Sequence, residues 1–478
     1  MSTKSTKLPL IEKIGYGLGD TASNLYFQSA MLFIPFFYTD IVGLAPAAMA
    51  WMIVVTKLLN AFADPLIGSI ADRTETRWGK FRPYLLWMAI PYGLSGILLF
   101  YKPDFGPTGA ILYAGFTYFF MLTAYSAINV PYSALMGVMS SDSKERDTLS
   151  SFRFVGAFLG LFIIIYAGTD FAKSLGATGE IDADGQPVVD LAKGYLLAMS
   201  IIAVLATVLF FITFVTTRER TKPVVEDKKD KSQDYKDLLK NIPWLILFAF
   251  GILNLTNIAI RNAAAMYYFE NYVGDEAANT IINVLGMSIN AGSMGTFMLC
   301  TIAMLIVGSA CSTLWLKFID KKWLMLIVSM ANAVLMISFY LPGPNDLGTM
   351  YALNLSIAFI SGPVSPLIFS MYADTSDYSE WKTGRRAMGL VYAAASFSMK
   401  AGLIIGSALV GWILGGFGYV AGTEQTPTAM EGIRLMMSAI PGAFALAAAC
   451  LVIFYPLNNK KLREIATALQ SQNTNNES

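Results

Sequence analysis

Long apolar stretches alternate with short polar segments along almost the whole chain. A helix that crosses a lipid bilayer needs about 20 mostly apolar residues. Twelve stretches meet this requirement, at residues 14–42, 46–71, 84–101, 109–137, 150–169, 193–215, 242–273, 294–316, 322–341, 349–374, 386–417 and 430–455. The pattern predicts an all-α membrane protein with twelve transmembrane helices, numbered here TM1 to TM12 in chain order.

One long charged segment, residues 216–241, separates the first six predicted helices from the last six. We therefore expect four parts: an N-terminal six-helix bundle at 1–215, a cytoplasmic linker at 216–241, a C-terminal six-helix bundle at 242–457 and a cytoplasmic tail at 458–478. The polar, glycine-rich segment 170–192 between TM5 and TM6 is predicted to be a loose loop.

An acidic residue followed by basic residues recurs at equivalent turns of the two halves. Asp72 and Arg73 follow TM2, and Asp320, Lys321 and Lys322 follow TM8. Two related six-helix halves are typical of secondary transporters. Together with the number of helices, the repeat predicts the major facilitator fold, which consists of two pseudo-symmetric six-helix bundles.

Basic residues are distributed unevenly between the two sides of the predicted bundle. On one side, the loops hold only Lys102, Lys173, Lys193 and Arg434, whereas the other loops and both termini hold most of the 34 lysine and arginine residues. Because basic residues accumulate on the cytoplasmic side of a membrane protein, we expect both termini to be cytoplasmic. The protein is then a multi-pass protein of the bacterial inner membrane.

The composition argues against several classes of protein. Only 14% of the 478 residues are charged, against about 25% in soluble domains, and the net charge of +1 gives no basis for binding nucleic acid. The chain has no histidine and three scattered cysteines, so histidine-dependent catalysis, a disulfide framework and a cysteine metal site are not expected. We predict a protein that is not an enzyme and needs no cofactor.

Charged residues well inside a span are costly and normally face a cavity or a partner. Those of interest are Asp20 in TM1, Lys57 and Asp64 in TM2, Arg153 in TM5, Arg261 in TM7 and Lys400 in TM11. Asn60 and Asp64 lie one helical turn apart and share a face of TM2. With Asp20 they could gather oxygens around a cation. Alternatively, the two carboxylates pair with Lys57 or Arg153 and only hold the helices together.

Four segments carry a resemblance to a known family. They read KIGYGLGD at 13–20, FYTDIVGL at 37–44, RWGKFRP at 77–83 and ADTSDYSEWKTGRR at 373–386. In these segments, which run from TM1 to the start of TM11, the chain resembles the glycoside–pentoside–hexuronide:cation symporters, the family that includes the sodium–melibiose carriers.

The resemblance implies a cation site between TM1, TM2 and TM4, with a sugar site beside it. The residues that fall on the cation cluster are Asp20, Asn60, Asp64, Ser126 and Asn129. A sodium ion would be held by Asp20, Asn60 and Asp64. We expect the sugar to contact polar, basic and aromatic side chains inside the spans, namely Asp20, Tyr26, Asn129, Arg153, Arg261, Asn262, Ser396 and Lys400.

The chain departs from the sodium–melibiose carriers at several of these positions. Those carriers have acidic residues at the positions of Asn60 and Asn129, and an amide at the position of Ala63. Hard cations require several oxygen ligands, so the substitutions favour a proton over a sodium ion as the coupling ion, while both stay open. Ser365 replaces a tryptophan that some members carry, so the sugar itself is not carried over.

Arg261 adds a third buried cation to Arg153 and Lys400. Because arginine recognises carboxylates and sulfonates with two parallel hydrogen bonds, one hypothesis is that the substrate is an acidic sugar such as a uronide. The alternative is that Arg261 is paired within the protein or reaches an interface.

Charged loops on the predicted cytoplasmic side suggest a gate. The candidate residues lie in loop 2–3 and around loop 10–11, and they are Arg77, Arg82, Asp374, Asp377, Glu380 and Arg385. Ion pairs between the two loops would close the cytoplasmic side during transport. The alternative is that these charges are simply solvated.

The sequence therefore predicts a secondary transporter that acts as a monomer. It would import a sugar, glycoside or uronide together with H+ or Na+ by alternating access. A lysolipid or other amphiphile carrier of the same fold is the second candidate, although the many polar residues in the spans argue against it.

Overall fold

The computed structural model describes residues 7–140, 143–167, 169–181, 187–220, 238–278, 280–284, 287–384 and 388–477. The chain divides into two compact units. Unit 1 comprises Met1–Val225 with Val420–Glu424, and unit 2 comprises Glu226–Tyr419 with Gln425–Ser478.

Unit 1 contains the first six transmembrane segments. They are TM1 (Leu10–Leu32, continued by Ile34–Phe36 and the π-helical turn Phe37–Ile41), TM2 (Pro46–Arg73), TM3 (Arg82–Trp87 and Ala89–Leu99), TM4 (Gly106–Met139), TM5 (Ser143–Ala167) and TM6 (Leu191–Thr216). Pro46 opens TM2, where its missing amide hydrogen costs nothing.

Unit 2 contains the other six. They are TM7 (Ile242–Asn271), TM8 (Met294–Trp315), TM9 (Lys321–Ser338), TM10 (Leu347–Ser361 and Val364–Thr383), TM11 (Met388–Gly416) and TM12 (Pro427–Met437 and Ala439–Ile453). TM10 is interrupted at Gly362 and Pro363, and TM12 at Ser438.

Each unit contains one very close helix crossing built on glycine. In unit 1, a Cβ atom on Gly156 of TM5 would lie 2.0 Å from the carbonyl oxygen of Gly17 in TM1. In unit 2, a Cβ atom on Gly406 of TM11 would lie 2.6 Å from the carbonyl oxygen of Thr256 in TM7. Small residues let membrane helices approach this closely. TM1 with TM5 and TM7 with TM11 hold the same places in the two halves, as expected for a repeat.

In their described residues, all twelve predicted segments form helices, which confirms the predicted fold class. Within the part of the chain that the structure describes, nine helices are long and apolar enough to cross a membrane, and they are those of TM4 to TM12. Of the described helices, those of TM1, TM2 and TM3 are not among the nine, and TM3 is divided at Met88.

The predicted loose loop at 170–192 is wrong. The chain there forms a short helix, Thr169–Leu175, and a hairpin of strands β1 (Ala177–Ile181) and β2 (Pro187–Val189). A second hairpin, of β3 (Ile281–Val284) and β4 (Met287–Asn290), lies between TM7 and TM8 and was not predicted. The strands are antiparallel in both, with Ala177 opposite Val189 and Ile281 opposite Asn290.

The segment predicted as a tail begins with structure of its own. Residues 459–477 form the helix Asn459–Glu477. Its Ile465 is buried in the core of unit 2, beside Leu457, and Lys461 lies 4.8 Å from the ring centroid of Trp381 at the end of TM10. Of the predicted linker, residues 221–237 lie outside the described residues.

Candidate functional site

An ion pair between TM1 and TM5 is the centre of the candidate site in unit 1. The Nε atom of Arg153 donates to Oδ2 of Asp20 over 2.7 Å. The two side chains are 23% and 11% exposed, respectively. Gly17 and Gly156 lie three residues before Asp20 and three residues after Arg153, so the close glycine crossing brings the two charged groups together.

Two buried tyrosines support the guanidinium of Arg153. The ring centroids of Tyr16 in TM1 and Tyr132 in TM4 lie 4.7 Å apart, and the Cζ atom of Arg153 lies 6.0 Å and 4.9 Å from them. Each hydroxyl donates to the other residue's carbonyl oxygen, over 3.2 Å for Tyr16 and 2.5 Å for Tyr132. The rings therefore fix TM1 to TM4 and offer their faces to the cation.

Polar side chains of TM4 extend the pair towards a more exposed surface. Nη2 of Arg153 lies 3.5 Å from the hydroxyl oxygen of Ser133, which lies 3.4 Å from Oδ1 of Asn129 one turn earlier. Ser133 is exposed and Asn129 is partly exposed. The sequence reasoning missed Ser133, although its four-residue spacing from Asn129 placed it on the same face.

We call Tyr16, Asp20, Asn129, Tyr132, Ser133 and Arg153 the Asp20–Arg153 cluster. Phe27, two turns after Asp20 in TM1, stacks on Tyr125, one turn before Asn129 in TM4, with ring centroids 5.3 Å apart. Both rings are partly exposed. The cluster thus continues into an aromatic surface that an apolar ring face could cover.

The residues predicted to bind a cation are only partly brought together. Nδ2 of Asn60 lies 3.5 Å from Oγ of Ser126, which joins TM2 to TM4. The carboxylate of Asp20 is paired with Arg153, and the side chain of Asp64 lies outside the described residues. Among the side chains that the structure describes, no group of three or more acidic or cysteine residues could hold a metal ion.

Tyr26 lies away from this surface. It is fully buried, and its hydroxyl donates to the carbonyl oxygens of Gly93 in TM3 and Met199 in TM6, over 3.3 Å and 3.1 Å. These bonds anchor TM1 to TM3 and TM6, so we leave Tyr26 out of the site proposed below.

In unit 2, the predicted sugar contacts differ in exposure. Ser396 and Lys400 lie one turn apart on TM11 and are both exposed, and Asn262 is partly exposed. Arg261 is 9% exposed. Its guanidinium donates to the carbonyl oxygen of Met437 over 3.0 Å and to Oδ1 of Asn354 over 3.1 Å. These contacts favour the alternative that Arg261 is satisfied within the protein.

The predicted gate residues of unit 1 have local partners. Arg82 donates to the carbonyl oxygens of Trp78 over 3.2 Å and Phe214 over 2.7 Å, and the Cζ atom of Arg77 lies 4.5 Å from a ring centroid of Trp78. Beside them, the carboxylate of Glu219 accepts hydrogen bonds from three successive backbone amides, those of residues 80–82. Glu219 was not predicted.

The predicted gate residues of unit 2 lie at the end of TM10. Both carboxylate oxygens of Asp374 accept from Lys321, over 2.9 Å and 2.8 Å. Asp377 and Glu380 follow on the same helix and are partly exposed, while Arg385 lies outside the described residues. Lys321 belongs to the acidic–basic repeat after TM8, so the repeat supplies a local partner that we did not anticipate.

The Lys321→Gln variant is expected to be less stable than the wild type. Asp374 keeps a largely buried carboxylate, which then has only an uncharged partner. The loss should be about 1–3 kcal/mol in the free energy of unfolding, measured as a lower thermal midpoint in detergent. Lys322→Gln is the matched control, because Lys322 lies against the ring of Trp323, at 5.6 Å from its centroid. Equal midpoints for the two variants would contradict the role of the ion pair.

Comparison with known proteins supports the same conclusion as the fold. The family described as MFS/sugar transport protein matches residues 15–459. The chain belongs to this family. The putative glycoside/cation symporter YagG of Escherichia coli (strain K12) is 34% identical to this chain over 469 residues. The match covers 97% of this chain and 95% of the relative.

Two further similarities extend over most of the chain. The isoprimeverose transporter of Lactiplantibacillus pentosus is 31% identical over 470 residues, covering 96% of this chain and 91% of the relative. The inward-open structure of the xylose transporter XylE from E. coli has a TM-score of 0.62 at 12% identity, covering 95% of this chain and 98% of that chain. The latter shows a shared fold.

Membership of the family settles three of the predictions. The resemblance to the glycoside–pentoside–hexuronide:cation symporters is confirmed. The protein is a multi-pass membrane protein with the major facilitator fold. It is a transporter rather than an enzyme.

Proposed function

We propose that the protein imports a sugar or glycoside by cation symport through alternating access, and that the Asp20–Arg153 cluster binds the sugar. The observation that carries the proposal is the largely buried ion pair between TM1 and TM5, extended by Ser133 and Asn129 to a more exposed surface. A charge at bilayer depth is costly, so such a pair is a candidate functional site.

The chemistry of the cluster suits a polyol. The carboxylate of Asp20 can accept from sugar hydroxyls, while Arg153 and Asn129 can donate to them. Hydrogen bonds with one charged partner are about twice as strong as neutral ones. The stacked pair of Phe27 and Tyr125 gives the apolar C–H face of a pyranose a surface on which to pack.

The charges of the cluster favour a neutral substrate. Asp20 and Arg153 neutralise each other, so a neutral glycoside leaves no charge without a partner. An acidic sugar is the second candidate. The sequence suggested an acidic sugar because of Arg261. The guanidinium of Arg261 is bonded to Met437 and Asn354 within the protein, so Arg261 gives no separate support for an acidic substrate.

The coupling ion is proposed to be a proton. Asn60 and Ser126 contribute neutral oxygens, and Asp64 lies one turn beyond Asn60 on TM2. A sodium ion needs several hard oxygen ligands, whereas a proton needs one carboxylate. Because binding of ion and sugar is thermodynamically reciprocal, protonation of a carboxylate beside the sugar is enough to couple them.

We also propose that the protein lies in a bacterial inner membrane with both termini in the cytoplasm. The proposal is supported by the excess of lysine and arginine in the loops on the side of the termini. The charged residues at the end of TM10 and in loop 2–3 would then lie on the cytoplasmic side, and we propose that they form a gate there.

Counterflow in proteoliposomes tests the proposed substrate and ion together. A panel of neutral glycosides and uronides is assayed with and without sodium at two pH values. We expect counterflow of a neutral glycoside, with uptake that rises at acid pH and does not require sodium. A requirement for sodium would overturn the proton assignment, a preference for uronides would overturn the neutral substrate, and the absence of any sugar counterflow would overturn the function.

A further inference from the structure

Arg261 is a buried cation in unit 2 that is held by uncharged groups. Its guanidinium reaches the carbonyl oxygen of Met437 in TM12 and Oδ1 of Asn354 in TM10, and its Cζ atom lies 5.0 Å from the ring centroid of Phe339 after TM9. Among the residues that the structure describes, no carboxylate forms an ion pair with it. Dipoles and a ring face therefore stabilise the charge.

The bond to Met437 replaces a bond that the chain itself cannot make. In a continuous helix, the amide of residue 441 donates to the carbonyl oxygen of residue 437. Residue 441 is a proline and has no amide hydrogen. TM12 is interrupted here, with Ser438 at φ −128° and ψ −92°. Arg261 supplies the missing donor from TM7, which is how a membrane protein can tolerate a broken helix.

The bond to Asn354 connects the same residue to the first half of TM10. Nδ2 of Asn354 in turn donates to the hydroxyl of Thr301 in TM8 over 2.6 Å. Arg261 therefore links TM7 to the break in TM12, to the first half of TM10 and, through Asn354, to TM8. Asn354 is 2% exposed, so water cannot easily replace either bond.

The second half of TM10 is held by different contacts. Asp374 pairs with Lys321 at the start of TM9. The hydroxyl of Tyr372 donates to the carbonyl oxygen of Leu247 over 3.1 Å, and Nδ2 of Asn241 donates to the carbonyl oxygen of Thr375 over 2.9 Å. The interruption of TM10 between Ser361 and Val364 separates the two sets of anchors.

We propose, on the basis of the transport function above, that Arg261 is a positioning residue for transport. It holds the first half of TM10 and the broken TM12 against TM7 as one body. The second half of TM10 then changes its angle at residues 362–363 by exchanging its own bonds, to Lys321, Leu247 and Asn241, while the contacts of Arg261 stay intact. A hinge at a helix interruption, with each side separately anchored, is a common way to absorb a domain movement.

The geometry requires arginine in particular. Two acceptors on different helices, Met437 and Asn354, are reached by two different nitrogens of the guanidinium. The planar fork of arginine can donate to both at once, whereas the single ammonium of lysine is a compact point charge. Arg261→Lys should therefore retain only part of the function.

The test separates a positioning role from a role as a substrate ligand. Arg261→Gln and Arg261→Lys are reconstituted, and the glycoside with the highest counterflow in the wild type is used as the probe. We expect the maximal rate to fall about tenfold for Arg261→Gln and less for Arg261→Lys, with KM changed by about twofold or less. A tenfold rise in KM at an unchanged rate would overturn the proposal and make Arg261 a substrate ligand. Wild-type kinetics in Arg261→Gln would also overturn it.

A double-mutant cycle with Pro441→Ala tests the link to TM12 without any sugar. Alanine restores an amide hydrogen for the carbonyl of Met437, so Arg261→Gln should lower the thermal midpoint in detergent by less in the Pro441→Ala background than in the wild type. Additive effects would overturn the link. If Pro441→Ala fails to fold, the cycle with Asn354→Leu replaces it, and again coupling is expected and additivity contradicts the proposal. Because these cycles need no transport, they distinguish failure of this inference from failure of the proposed function.

Discussion

The Asp20→Asn variant is expected to lose sugar transport, and adding Arg153→Gln to it is expected to recover stability but not transport. Breaking a largely buried ion pair by removing one partner costs about 3–5 kcal/mol, because the remaining charge is left uncompensated. Removing both charges avoids that cost. The sugar, however, loses both its charged acceptor and its charged donor, and counterflow should fall by about 100-fold or more.

Two measurements on the same three proteins decide this prediction. Thermal unfolding in detergent should give the lowest midpoint for Arg153→Gln, since the carboxylate of Asp20 is the less exposed partner, with 11% of its side chain accessible. Counterflow should be lost in Asp20→Asn, in Arg153→Gln and in the double variant. If the double variant instead transports like the wild type, the pair only joins TM1 to TM5 and the proposed sugar site is wrong.

A second ion pair of unit 1 provides the matched control. Glu12 at the start of TM1 accepts two hydrogen bonds from the guanidinium of Arg220, over 2.6 Å and 2.8 Å. The bond to Glu12 raises the pKa of Arg220 above its ordinary value, so the guanidinium stays charged at any pH used for transport. Glu12→Gln should lower stability, while the KM for the sugar should stay within about twofold of the wild type.

The helices were predictable from the sequence because the membrane requires a long apolar window for each of them. The interruptions within these helices were harder to predict from the sequence. TM3 looks like one apolar stretch at 84–101 but divides at Met88, and TM12 looks continuous from 430 to 455 but breaks at Ser438. The hydropathy pattern does not reveal such breaks, since they depend on which backbone groups find hydrogen-bond partners in neighbouring helices.

The hairpins could not be predicted for a different reason. Strand pairing in β1–β2 and β3–β4 uses backbone hydrogen bonds between segments of three to five residues. Segments this short carry no clear period of apolar and polar residues. The polar composition of residues 170–192 therefore indicated a loop, although the chain forms a helix and a hairpin there.

Candidate charges could be predicted, but not the direction in which each one points. Asp20 and Arg153 are separated by more than a hundred residues in the chain, and the sequence left open whether they bind a ligand or each other. For Arg261, the sequence indicates only a buried cation in TM7. Its contact with Met437 depends on how TM12 packs against TM7, and the missing amide of Pro441 explains that contact only once the packing is known.

The Gly79→Ala variant is expected to lose much of the stability of unit 1. The carboxylate of Glu219 accepts from the amides of Lys80, Phe81 and Arg82 over 2.9 Å, 2.7 Å and 2.9 Å, at the start of TM3, where helix amides have no partner within the helix. Gly79 has φ +108°, and a Cβ atom there would lie 2.5 Å from the carboxyl carbon of Glu219. Alanine is thus strained in its backbone and also displaces the carboxylate.

The expected loss is about 3 kcal/mol or more in the free energy of unfolding, from roughly 1–3 kcal/mol of backbone strain and the weakening of three charge-assisted hydrogen bonds. Thermal unfolding in detergent measures it, with Glu75→Gln as the control, because Glu75 is exposed in the same loop. The mechanism is tested in a Glu219→Ala background. Without the carboxylate, Gly79→Ala should cost only the backbone strain, since there is nothing left for its methyl group to displace. If Gly79→Ala costs the same in both backgrounds, the methyl group and the carboxylate do not compete for the same space, and the anion at the start of TM3 is not what requires glycine at this turn.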